Sequence, residues 1–260
     1  MRSIFRAALH YGLCAGALVL AGPALGADRP VTLTKPADLK PGLAAMPQID
    51  APADEPERQI NAALRRLNGS VRKAAAECKA EGGVHSSWER YIEVPMRGPR
   101  FLSLAIVDNA FCGGAHPNVG TMSIVYDLTT GAPVDWTELL PASLTGTVAL
   151  ATGMDGTRMV TLASKALYAF YLKGYRPIAD SKRGDDEAEC REAVTEAGSS
   201  APPPMMAWLD AKAGGLAVTF DLAHAVQACA DTVIIPTAAL RRAGAKPVLT
   251  EALDAAHAAP

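Results

Sequence analysis

The residues of this 260-residue chain that could do chemistry are few, and the cysteines come first: Cys78, Cys112, Cys190 and Cys229. Cysteines can hold zinc, attack a substrate or pair as disulfides. Zinc ligands usually come in close pairs such as C-x-x-C, and none of these four has another within four residues. An even count in an exported chain reads as two disulfides. Three pairings are open. The sequential one, Cys78 to Cys112 and Cys190 to Cys229, closes loops of about 35 residues, each stabilising by roughly 3 to 4 kcal/mol.

The histidines His85, His116, His224 and His257 are spread singly, which is not the spacing of a metal cluster, so no metal and no cofactor is expected. H-E-x-x-H, G-x-S-x-G, Walker A, G-x-G-x-x-G and the EF-hand loop are absent from the sequence, and no catalytic residue is assigned. The most unusual local feature is Phe111-Cys112-Gly113-Gly114-Ala115-His116-Pro117-Asn118. Two glycines after a strand permit positive φ or a close approach, and His-Pro-Asn then makes a rigid polar corner. Gly113, Gly114, His116 and Asn118 are therefore the candidate ligand-binding residues; the alternative is a structural turn.

The elements that must position these residues begin after an address. Arg2 and Arg6, an apolar stretch from Ala7 to Gly22 and the small residues of Ala24-Leu25-Gly26 read as a signal peptide, cleaved between Gly26 and Ala27. The apolar run, about 15 residues ending in Gly22-Pro23, is shorter than a spanning helix needs, so no membrane span is expected after cleavage. Cys14 leaves with the peptide, and losing two arginines takes the net charge from −2 to −4. A near-neutral chain without a basic block gives no footprint for nucleic acid. A periplasmic or secreted protein is expected.

Residues 28–57 hold six prolines and read as an extended lead-in with a short strand near 44–49. Ile60, Leu64, Leu67, Val71, Ala74 and Cys78 then recur at helical spacing, with Asp54, Glu55 and Glu57 at the start, and Gly69 inside weakens that helix by about 1 kcal/mol. Residues 90–95, 100–111 and 121–128 alternate as half-buried strands. In the second, Leu102, Leu104, Ile106, Ala110 and Cys112 share one parity, broken by Asp108, so a helix packed on that face could bring Cys78 to Cys112 unless a bulge intervenes. Thr129-Thr130-Gly131 reads as a turn, 157–172 as a second helix, and 182–204 as a charged surface insertion stapled by Cys190. Strands return at 205–210, 216–220 and 232–235, and the tail after Leu253 is expected to fray.

The segments "MPQID", "QINAAL", "GGAHP", "YDLTTGAPVDWTELL" and "GLAVTFDLAHAVQACADTVIIPTAAL" resemble, in that order, the RsiV-like C-terminal domain family: the extracellular region of RsiV-type anti-sigma factors, shared with the non-catalytic N-terminal part of the deacetylase PdaC. The resemblance runs from about Met46 to Leu240 and implies an α+β fold, antiparallel β-sheet with packed helices, in two similar-sized halves. The expected organisation is signal peptide 1–26, lead-in 27–53, PdaC-like helix and strands 54–141, RsiV-like C-terminal domain 142–253 and tail 254–260. Only Met1 to Arg6 precede the apolar run and few residues follow the last motif, so neither anti-sigma nor deacetylase activity is expected. Cys229 and the Cys190 region depart from the family pattern.

Three functions are compatible with these residues. The first is a soluble envelope binding module whose ligand is a protein or glycan; a lysozyme-like glycosidase is the partner the resemblance implies, and the acidic run Asp185-Asp186-Glu187-Ala188-Glu189 would complement a cationic protein. The second is an envelope carbohydrate hydrolase using His116 with Asp108 or Asp127, a pair general acid–base chemistry would need within hydrogen-bond reach. The third is a structural accessory of an envelope complex, which requires an exposed apolar surface.

Overall fold

The computed structural model of the chain describes residues 29–176 and 184–259, with side chains described at all of these except 184–186. The signal peptide with its cleavage site, and Lys182, lie outside the described residues. The elements in chain order are β1 (Leu33–Thr34), β2 (Gln48–Ile49), α1 (Glu55–Gly82), β3 (Ser87–Arg97), β4 (Phe101–Phe111), β5 (Asn118–Asp127), α2 (Trp136–Leu139), α3 (Ala142–Thr145), β6 (Thr147–Thr152), β7 (Arg158–Ala163), α4 (Lys165–Gly174), α5 (Gly184–Glu196), β8 (Met206–Asp210), β9 (Gly215–Thr219), β10 (Val233–Pro236), α6 (Thr237–Arg242) and α7 (Pro247–His257). Short 3-10 segments, Gly83–His85 and His224–Cys229, follow α1 and β9. All sheets are antiparallel, so the fold is α+β with packed helices as the alternation implied.

α1 starts where a capping box dictates. The Asp54 carboxylate accepts from the Glu57 N–H at 2.9 Å, and Glu57 reaches back to accept from the Ala53 N–H at 2.6 Å. Its stripe is buried at Ile60, Leu64 and Val71, each fully removed from water and each stabilising by roughly 1.5 to 3 kcal/mol. The lead-in is sewn to the same helix: buried Asn61 accepts from the Ile49 N–H at 2.7 Å and donates to the Ile49 carbonyl at 2.9 Å.

The stripe lies on the sheet β3-β4-β5, against Leu102, Leu104 and Ile106. On the opposite face, Ser103 accepts from the Leu209 N–H at 3.0 Å and the Ser123 hydroxyl donates to the Ala207 carbonyl at 3.0 Å, which lays β8 across the sheet. β9 is buried at all five positions, since its sheet, ordered β10-β9-β8, is covered on both faces. The larger core runs from Phe101 and Val125 through Leu216 and Phe220 to Tyr171, Leu240 and Leu253.

Four expectations change. Residues 157–172 are not one helix: β7 ends at Ala163, and α4 begins after Ser164, whose hydroxyl accepts from the Leu167 N–H at 3.2 Å. Val160, Ala163 and Leu167 fit a helical stripe, but Asp155-Gly156 turns β6 into β7, a pairing the helical reading overlooked. The charged segment around Cys190 is helix α5 rather than an irregular insertion. The chain after Leu253 stays helical to His257, whose ring nitrogen lies 2.8 Å from the Ala211 carbonyl. The lead-in contains β1 as well as the expected short strand.

Candidate functional site

Both disulfides join the cysteines sequentially, Cys78 to Cys112 and Cys190 to Cys229, with Cα atoms 4.6 and 5.0 Å apart. Cys78 is on the buried stripe of α1 and Cys112 at the end of β4; the one register irregularity between β3 and β4 falls between Glu93 and Met96, far from the crosslink. Two disulfides fit a chain that matures in an oxidising compartment. No helix among the described residues is long and apolar enough to cross a membrane.

The corner that follows Cys112 is exposed throughout, from Gly113 to Asn118. Gly113 has φ +85°, and a Cβ on Gly82 would meet the Cys112 backbone at 2.6 Å, so this corner and the end of α1 approach too closely for larger residues. His116 does not stand alone. Its ring centre lies 5.4 Å from that of His224, in the 3-10 segment after β9, with the planes tilted by 40°. Gln227 ties the two segments together: its side chain accepts from the Val119 N–H at 3.4 Å and donates to the Val119 carbonyl. Asn118 opens β5 opposite Ala110.

The carboxylates considered as partners for His116 are committed elsewhere. Asp108 is buried, accepting from the Arg90 guanidinium at 2.7 and 2.5 Å and from the Trp88 indole at 2.9 Å. Asp127 lies at the far end of β5, nine residues and about 30 Å from Asn118, where it accepts from Arg100 and caps the Thr129 turn. His116 and either carboxylate therefore do not form an acid–base pair. Nearby, Asp221 has a raised pKa because its carboxyl group is desolvated, although the residue retains exposure; the Thr121 N–H opposes the shift. Among the described residues, no three His, Cys, Asp or Glu side chains are grouped to hold a metal ion.

Sequence reasoning missed the polar centre of the molecule. Arg90 is fully buried and also donates to Asp155 at 2.7 Å, linking β3 to the turn between β6 and β7. Burial works to lower its pKa, but the hydrogen bonds and charges of Asp108 and Asp155 prevail and raise it. Asp155 further accepts from the Thr157 N–H at 2.8 Å. The available signal was a lone Asp breaking the apolar parity of β4, directly opposite an Arg in β3.

Two further surfaces stand out, the first unmarked in the sequence and the second already visible there as an acidic run. A cavity of about 500 Å³ opens between α1, β5 and the β6–β7 hairpin, apolar at Leu67, Ile124 and Met159 and flanked by Arg66 and Arg158. Neither arginine is ion-paired among the described residues. Beside it runs β6, Thr-Val-Ala-Leu-Ala-Thr, paired only to β7, with Val148 and Leu150 exposed. The second surface is α5, which carries six acidic residues and one arginine; Glu187, Glu189, Glu192 and Glu196 are exposed. Cys190 and buried Val194 fix α5 to the body, and the Tyr168 hydroxyl donates to the Val194 carbonyl.

No family model matches the chain, and no curated protein matches it. The solved structures similar to it include a crystal structure of a DUF3298 family member from Bacteroides fragilis: 16% identity, TM-score 0.45, with 76% of this chain and 68% of that chain covered.

Proposed function

We propose that the chain is an exported, disulfide-stapled binding module of the cell envelope, periplasmic or secreted, of the RsiV-like type, and that its ligand is a cationic protein, a lysozyme-like glycosidase being the sharpest candidate. The observation that carries this reading is the acidic helix α5, held on the surface by Cys190–Cys229 with its glutamates in water. Concentrated charge of one sign on a rigid element steers an oppositely charged partner and fixes its orientation. That Asp108 and Asp127, the carboxylates considered for His116, are both committed to arginines elsewhere supports binding rather than hydrolysis. The division into halves 54–141 and 142–253 is part of this proposal, its boundary falling where α3 begins at Ala142.

The test is titration of the oxidised protein against a panel of lysozymes, with glycosidase activity read in the same samples. Saturable binding that weakens at least tenfold in Glu187→Lys/Glu189→Lys/Glu192→Lys, and falls steeply with salt, is expected. No binding to any lysozyme, or binding that ignores these charge reversals, overturns the reading. A second reading, a structural accessory of an envelope complex, is favoured by uncharged β6: an exposed edge strand is a template for an added strand, here beside a groove flanked by Arg66 and Arg158. Loss of complex formation in Leu150→Lys with lysozyme binding intact would select it.

A further inference from the structure

We propose that His116 and His224 form a two-imidazole site for one divalent transition metal, of the zinc or copper class, whose remaining coordination positions are open to water or to a partner's donor groups. The geometry carries it. A zinc–nitrogen bond of about 2.05 Å puts the metal about 3.2 Å from an imidazole centre, and two such rings at a tetrahedral angle have centres about 5.2 Å apart. The observed separation is 5.4 Å. The 40° tilt is neither the parallel nor the perpendicular arrangement that aromatic pairs favour by themselves, so packing preference does not explain the pair.

The two rings are held ready by independent devices. Cys112, four residues before His116, is crosslinked to α1; Cys229, five residues after His224, is crosslinked to α5. Pro117 restricts the backbone of His116, and Gln227 locks the two segments at Val119. Little ordering entropy then remains to oppose binding. Both cysteines near the pair are oxidised, so the donors are imidazole nitrogens, which select zinc, copper or nickel over magnesium or calcium. Asp221 precedes His224 by three residues, but among the described residues no third His, Cys, Asp or Glu joins the pair, leaving two protein ligands. α5, packed on the His224 segment, adds a negative field that draws in cations.

The inference is independent of what α5 binds. Its test is isothermal titration of the untagged, oxidised protein with zinc chloride and, separately, copper(II) chloride in a non-coordinating buffer at pH 7.5. One ion per chain is expected; His116→Ala and His224→Ala should each weaken binding at least tenfold, while His85→Ala and His257→Ala, also exposed histidines, should leave it unchanged. Gln227→Ala should weaken binding less than loss of either ligand. Nitrogen hyperfine structure in the copper spectrum should disappear with either ligand. All four positions are exposed, and unchanged urea midpoints would show that the variants fold. Absence of saturable binding at millimolar metal, retention of binding in the His116→Ala/His224→Ala double variant, or equal binding of magnesium overturns the proposal.

Discussion

Arg90 sits between two carboxylates, all three side chains shielded from bulk solvent, and the cluster holds two acidic residues to one basic. Removing the guanidinium would leave Asp108 and Asp155 buried and uncompensated, so Arg90→Met should cost about 3 to 5 kcal/mol in urea denaturation. Arg90→Lys should recover only part of this, because an ammonium cannot make the two-pronged contact to Asp108 while also reaching Asp155. A loss below 1 kcal/mol would refute the hub. Tyr126 supplies a pH test. Burial, opposed weakly by Arg66, pushes its phenol up to about 12. An unfolded tyrosine ionises near 10, so the stabilisation is whole below pH 10 and is lost as pH rises through 12. Tyr126→Phe should therefore show a shallower stability decline than wild type between pH 10 and 12; identical slopes would contradict the assignment. Gly69 has open space where a Cβ would stand, inside α1, so Gly69→Ala should stabilise by about 1 kcal/mol. A decrease would mean that the helix needs the glycine.

The elements divide by how local their signals are. α1 and β3–β5 were legible because capping residues, 3.6-residue spacing and alternation agreed with the packing they entered. β6, β7 and α4 were not, because Val160, Ala163 and Leu167 satisfy a helical stripe and Ser164 is a helix start that the stripe conceals. The candidate site shows the same split. Gly113 and Gly114 mark the corner in sequence, but His224 becomes its partner only when β9 leads into the 3-10 segment beside β5, a contact between distant parts of the chain that no spacing rule encodes. The acidic run was visible as charge; that it is helical was not. Replacing Cys190 and Cys229 together by serine should cost about 3 kcal/mol from the opened loop and increase amide exchange in α5 before other helices; equal exchange throughout would show that packing at Val194 suffices.

Across the whole molecule, early and late segments of the chain are interlocked. The smaller core joins Ile60 and Leu102 to Met159 and Met206, and the larger joins Phe101 to Leu253, so each crosses the midpoint of the chain. Arg90 and Asp155 repeat that crossing in charge. The order of motifs implied two similar-sized halves, whereas the shared interior depends on side chains meeting across more than sixty residues. The disulfides divide the same chain differently. One covalent ring, 78–112, contains all of β3 and β4; the other, 190–229, contains β8 and β9; the stretch 113–189 between them, with β5, β6 and β7, belongs to neither. A protease that nicks the turn at Gly98-Pro99 leaves one covalent molecule, which separates into two fragments only with reductant. A nick within 113–189 instead yields two fragments on a denaturing gel under either condition, so the middle of the chain can be taken apart without first being reduced.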